Sequence, residues 1–204
     1  MIIQRTLMTC HKGVDLHAAT AERVMRRRLE GGEGLAGLAR AEFHTFWQVG
    51  DGSAPETVER LLTVGRYFNP NKHHFAHFVW RGAGTPWTGI PARGDPLPDG
   101  WPGEVVATDL PAGGGAVLDR LLGGAIPDGA NSAGVSVVDV CAFPLGETSA
   151  VLSGVLWRLA LAPGTAAAAT VAGRLVETRS AREGLLVNPH MQGWLASPAR
   201  SHNA

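Results

Sequence analysis

Three histidines stand close together in NKHHFAHF, at His73, His74 and His77, and His11 follows Cys10 near the amino terminus. Imidazoles at that density could hold a metal ion or move protons. Which chemistry is open to them depends on the element that carries them. On a helix, His73 and His77 would lie one turn apart on a shared face, close enough to reach one ion. On a strand they also share a face, but four residues span roughly 13 Å, too far for a single ion. KHHFAHFVW alternates as a strand does, with His73 and His77 on one face and His74 beside Phe78 and Trp80 on the other. The expectation is no metal site. A single histidine beside a carboxylate could still be a general base, although no acidic residue accompanies these three in the sequence.

Other stretches carry weaker chemical signals. DLPAGGGAVLDRLLGG follows a strand and precedes a helix, as a phosphate-cradling loop does, but it lacks both G-K-[ST] and G-x-G-x-x-G and reads as a flexible turn before a capped helix. Cys10 lies in or at the end of an apolar strand with no base beside it, the setting of a buried, inert thiol. Arg26, Arg27 and Arg28 project about 100° apart on a helix, so they spread around it as a solvated end. Trp80, Trp87 and Trp101 lie in or beside a Gly/Pro-rich stretch, where exposed aromatics would mark a contact surface.

The elements that must position these residues repeat. Residues 81–103, RGAGTPWTGIPARGDPLPDGWPG, hold six Gly and five Pro and read as a linker between segments 1–80 and 104–204. In the first segment Ile3 to Cys10 is a strand and Asp15 caps a helix through HAATAERVMRRRL. LARAEFHTFWQVG then gives one bent strand or two, SAPETVERLLTVGRYF a second helix, and KHHFAHFVW a strand. In the second segment the same order runs through EVVATDL, AVLDRLL, GVSVVDVCAF, VLSGVLWRLALA, a long helix over AAAATVAGRLVETRSAREGLL, and HMQGWLA. Asn69-Pro70 and Asn188-Pro189 mark where the second helix of each half stops and its last strand starts, because a residue before Pro is pushed toward extended geometry. The fold class expected is α+β, with two tandem ferredoxin-like (βαββαβ) units forming a pseudo-dimer.

Composition bounds the function. The chain has 204 residues, 45% of them hydrophobic, and 18 basic against 18 acidic side chains. That balance favours neither nucleic acid nor an anionic membrane as partner. Two cysteines, Cys10 and Cys141, form no C-x-x-C pair, which argues against a disulfide scaffold or structural zinc and for a reducing, cytoplasmic setting. Arg5 and His11 interrupt the apolar run a signal peptide needs, and no stretch approaches 18 apolar residues.

The run from Ala166 to Trp194, above all REGLLVNPHMQGW, resembles the carboxy-terminal helix, Leu-Leu-x-Asn-Pro turn and last strand of the PurS-type small subunit of phosphoribosylformylglycinamidine synthase. GVDLHAATAERVMRR is similar to that family's Asp-containing turn and Thr-x-Glu-Arg-Val helix. The positions that carry the resemblance are Asp15, Asn69, Pro70, Leu185, Leu186, Asn188 and Pro189. The family's Gly-Lys step between the second and third strands is absent from both halves, and Leu16 stands where the Pro of its Asp-Pro-x-x-Gly turn would follow Asp15. Family members are about one repeat long and pair as dimers, so a chain with two units resembles a fused dimer. The resemblance implies a non-catalytic bridging subunit that joins a synthetase to a glutaminase for amidation of formylglycinamide ribonucleotide in purine biosynthesis. ATP, magnesium and glutamine would be bound by those partners and no cofactor by this chain, and the pseudo-dimer could self-associate. The alternative is a stand-alone ferredoxin-like enzyme or binding protein for a small molecule, using the strand with His73, His74 and His77.

Overall fold

The computed structural model describes residues 2–49, 62–82, 93–126, 134–145, 151–165 and 167–202. The elements run β1 (Ile2–His11), α1 (Leu16–Arg28), β2 (Leu35–Val49), β3 (His73–Gly82), β4 (Arg93–Pro96), β5 (Glu104–Thr108), α2 (Val117–Leu121), β6 (Ser136–Pro144), β7 (Val151–Leu161), α3 (Ala168–Val176), β8 (Gln192–Ala196) and β9 (Arg200–Ser201). The class is mixed α+β with a core made mostly of sheet. Among the described residues nine strands join in one sheet, ordered β4-β8-β6-β7-β2-β1-β3-β5, with β9 against β6. Neighbours are antiparallel except β4, which runs parallel to β8.

Local chemistry explains these elements. SVVDVCAF and VLSGVLWRLAL are rich in Val and Leu, as strands buried on both faces must be, and Val138, Val140, Leu156 and Leu159 are all buried. The Asp15 carboxylate accepts hydrogen bonds from the N–H groups of His17 and Ala18 at 2.9 and 3.1 Å and so starts α1. The helix closes on Arg26, Arg27 and Arg28, which suit the negative end of its dipole. Helices α1 and α3 cover one face of the sheet, where Met25, Leu38, Val140, Trp157, Leu159 and Leu175 share a core. The other face is covered by α2 with Leu97, Trp101 and Leu110, over Met8, Phe43, Phe78, Cys141 and Leu156.

The strands pair differently from the expectation. LARAEFHTFWQV lies within one 15-residue strand, β2, that starts at Leu35. In the first half β1 lies between β2 and β3, and in the second half β6 lies between β7 and β8. A ferredoxin-like unit places its first strand between its third and fourth, an order the first half keeps if β2 stands for the second and third strands, whereas in the second half that place is taken by β6, the expected second strand. EVVATDL, expected to open the second unit, becomes β5 and pairs with β3 at the far edge of the first half. Halves expected as separate units share one sheet through eleven paired positions between β2 and β7.

The Gly/Pro-rich stretch is more than a linker. It completes β3, supplies β4 and brings Trp101 partly into the core, where its ring lies edge-on to Phe43 at 6.2 Å. Trp80 is half-buried and its Nε1–H donates to the Asp99 carbonyl at 3.3 Å. The exposed aromatic surface expected of these two is therefore not formed, and Trp87 lies outside the described residues. So do residues 53–61 of the stretch expected to form the second helix of the first half, and residues 146–150. The long helix expected over residues 166–186 ends at Val176, and the chain doubles back so that the N–H groups of Leu185 and Leu186 donate to the carbonyls of Leu175 and Val176. Gly184 permits that return: its φ is +73° and a Cβ there would lie 1.7 Å from the Glu177 carbonyl oxygen. Among the described residues no helix is long and apolar enough to cross a membrane.

Two turns match bond for bond. The Asn69 carbonyl accepts from the N–H groups of Lys72 and His73, and the Asn188 carbonyl from those of Met191 and Gln192. Asn69 Oδ1 accepts from Asn71 N–H at 3.0 Å, and Asn188 Oδ1 from His190 N–H at 3.0 Å. The N–H of Asn69 points to His73 Nδ1 at 3.4 Å, and that of Asn188 to Gln192 Oε1 at 2.9 Å. Each turn launches a strand, β3 in the first half and β8 in the second. Neither turn ends a helix: the last described helical residue before Asn69 is Thr63, six positions earlier, and α3 has stopped at Val176, twelve before Asn188.

Candidate functional site

The end of β1 and the start of β3 gather the densest set of ionisable side chains. Antiparallel pairing sets His11 against His73 and Cys10 against His74, while β2 sets Glu42 against Thr9. Arg40, two residues before Glu42, donates from Nε to Asp15 Oδ2 at 2.7 Å and from Nη2 to Glu42 Oε1 at 3.0 Å. Its guanidinium also lies over the Trp157 ring, 5.9 Å from the centroid. The rings of His11 and His73 meet edge-on at 4.9 Å. Asp15, Glu42 and His73 thus line one small polar recess with Cys10 and His11. A larger cavity of about 330 Å³ shares Cys10, His11, Asp15 and Arg40 with it and reaches Glu22 and Leu121.

The protonation states limit what this cluster can do. Burial, helped by the Asp109 charge, pushes the Cys10 thiol up to about 11, so it is a neutral thiol near pH 7 and no ready nucleophile. Burial and then the neighbouring His11 lower the pKa of His73, leaving a neutral imidazole. Because the Asn69 N–H points at Nδ1, that nitrogen is the acceptor and the proton sits on Nε2. For Asp15 burial acts upward, but Arg40 and the α1 N–H groups outweigh it and hold the carboxyl below its usual range. The recess therefore offers the ionised Asp15 carboxylate, one guanidinium already paired with it, and a neutral imidazole able to take a proton. The recess itself has room for about 10 Å³, no more than a single water, so a small polar molecule would have to sit in the larger cavity beside it.

The three histidines do not form one site. His74 is on the opposite face, its Nδ1 3.5 Å from Asp109 Oδ1, and that oxygen also accepts the Phe75 N–H at 2.6 Å. His77 is buried opposite Leu7, where burial, with Arg5 nearby, lowers its pKa to about 4. Among the described residues no three His, Cys, Asp or Glu side chains converge closely enough to hold a metal ion. Of the resemblance positions, Leu185 is exposed while Leu186 packs on the core beneath α1 and α3. The Pro70 carbonyl accepts from Lys12 Nζ at 2.7 Å, tying the end of β1 to the first turn.

A second ionic site lay outside the sequence reading. Asp139 and Arg158 are directly paired positions on β6 and β7. Arg158 is wholly buried and donates to both Asp139 oxygens, from Nε at 2.6 Å and Nη2 at 2.8 Å. Arg200 of β9 adds bonds from Nη1 to Asp139 at 2.9 Å and from Nη2 to Asp119 of α2 at 3.0 Å. Arg158 Nη1 lies 2.9 Å from Asp119 Oδ1 but with no aligned hydrogen bond, so that contact is an ion pair alone. Burial acts upward on the Asp139 carboxyl, but Arg158 and Arg200 outweigh it and keep it ionised. The sequence does carry a signal: SVVDVCAF and VLWRLAL each hold one charge inside an apolar run, and the two are of opposite sign. No protein-family model, curated protein or solved structure matches the chain.

Proposed function

We propose that the chain is a tandem of two diverged, ferredoxin-derived units packed as a pseudo-dimer, and that it serves as a non-catalytic bridging subunit of a phosphoribosylformylglycinamidine synthase-type complex. One observation carries the reading: the same Asn-Pro turn, with the same backbone and side-chain bonds, launches β3 in one half and β8 in the other. The strand orders β3-β1-β2 and β8-β6-β7 meet at the β2–β7 seam, as two copies do across a two-fold axis. In this reading segments 1–80 and 104–204 are the copies, a synthetase and a glutaminase are the partners, and ATP, magnesium and glutamine act on those partners. Expressed together with both enzymes, the chain is expected to co-elute with them and to show no turnover alone. Failure to associate with either one overturns the reading.

A second reading, a stand-alone small-molecule enzyme or binding protein, rests on the cavity of about 330 Å³ lined by Cys10, His11, Asp15 and Arg40, next to the recess that places Asp15 and Glu42 beside His73. His73→Gln tests it. Gln192 fills the matching place in the second turn, so this variant keeps the turn's acceptor while removing the titratable nitrogen. Any activity of the isolated chain that depends on the recess must fall in that variant; unchanged activity excludes the histidine.

A further inference from the structure

Between residues 97–101, α2 and β9 lies a cavity of about 330 Å³ that neither reading above uses. Part of its wall is apolar, from Leu97, Pro98, Leu118 and the indole of Trp101, and part is charged, from Asp99, Asp119, Asp139 and Arg200. Asp139 is held from behind by the wholly buried Arg158. Asp119 and Arg200 are 46% and 43% exposed and remain available on the cavity side. Arg200 gives one N–H from each Nη to the two aspartates, and a guanidinium has five N–H groups. Asp119 receives both its arginine contacts on Oδ1, leaving Oδ2 to accept.

A carboxylate and a guanidinium fixed side by side, each with spare capacity, match the ammonium and carboxylate of a zwitterion. The charge count goes further. Asp99, Asp119 and Asp139 against Arg158 and Arg200 leave one negative charge in excess, which a ligand with a second cation would neutralise. The volume is within the range of small-molecule sites. We propose that this cavity binds a free basic amino acid, with its carboxylate on Arg200, its α-ammonium on Asp119 and its side-chain cation beside Asp99.

Isothermal titration of the full chain with three probes of similar size tests the assignment. L-arginine should bind saturably at one site. Agmatine, which lacks the carboxylate, and L-citrulline, which lacks the side-chain cation, should each bind at least about tenfold more weakly, the effect of one lost charge-assisted contact. Arg200→Gln should remove the preference for L-arginine over agmatine, because the carboxylate loses its partner while both ammonium groups keep theirs. Ala116→Trp, at an exposed position on the cavity wall, should abolish binding with the far-ultraviolet circular dichroism unaltered. Absence of saturable heat with L-arginine up to about 10 mM, or agmatine or citrulline binding as tightly as arginine in the unmodified chain, overturns the proposal. Neither of those two results depends on a variant folding.

Discussion

His77 is 5% exposed and its neutral form is the one the fold holds, because burial and then the Arg5 charge lower its pKa to about 4. In the unfolded chain the imidazole returns to about 6.5. Between those values the unfolded state binds the extra proton, so stability is complete above pH 6.5 and is lost as the pH falls toward 4, with no further loss from this group below that. The shift corresponds to at most about 3 kcal/mol. Urea denaturation at pH 7, 5.5 and 4 should show that loss, and His77→Gln should remove a large part of the pH dependence; an equal slope in the variant contradicts the assignment. Burial also lowers the pKa of His44 and His73, which supply the remainder with the same sign. At this scale the alternation of His73, His74 and His77 over the two faces was legible, since period two follows from strand geometry alone. Their carboxylate neighbours were not, because Asp15, Glu42 and Asp109 arrive from α1, β2 and the end of β5 through non-local pairing.

The paired turns show what an element asks of its sequence. Each needs an Asn side chain to accept the N–H two residues on, a Pro that favours extended geometry before it, and an acceptor four residues later to face the Asn N–H. His73 and Gln192 fill the last role with different chemistry, so the identity of that residue hid the repeat while its capacity to accept preserved it. Asn69→Ala and Asn188→Ala are each expected to cost about 1 kcal/mol in urea denaturation, and by similar amounts. His73→Gln should cost less than about 0.5 kcal/mol and His73→Leu about 1. A negligible cost for either Asn variant, or Gln no better than Leu at position 73, would show that the turns are not held by these bonds. The Asn-Pro steps were legible because Pro and Asn act locally. The early end of α3 was less so, because residues 177–183, ETRSARE, contain neither Pro nor Gly and only Gly184 reveals the reversal.

For the whole molecule, the seam between β2 and β7 decides whether the halves are independent. Leu35 to Phe46 pair with Leu161 to Val151, and the core on the helix face mixes Met25, Leu35 and Leu38 with Val138, Leu159 and Leu175. On the opposite face Phe43 fills the space above Gly154, where a Cβ would lie 2.4 Å from the ring. Neither half can bury these side chains without the other, and a lone half would leave a long strand edge unpaired. The chain should therefore unfold in one transition, with tryptophan fluorescence and far-ultraviolet circular dichroism changing at the same urea concentration. Segments 1–103 and 104–204 made separately should lack protected amides, and mixing them should restore protection, as in an obligate dimer whose subunits are folded only together. Gly154→Ala should lower the midpoint of that single transition without splitting it. Two resolved transitions, or either segment folding alone, would mean that the seam joins two finished domains and that the shared core is not what stabilises them.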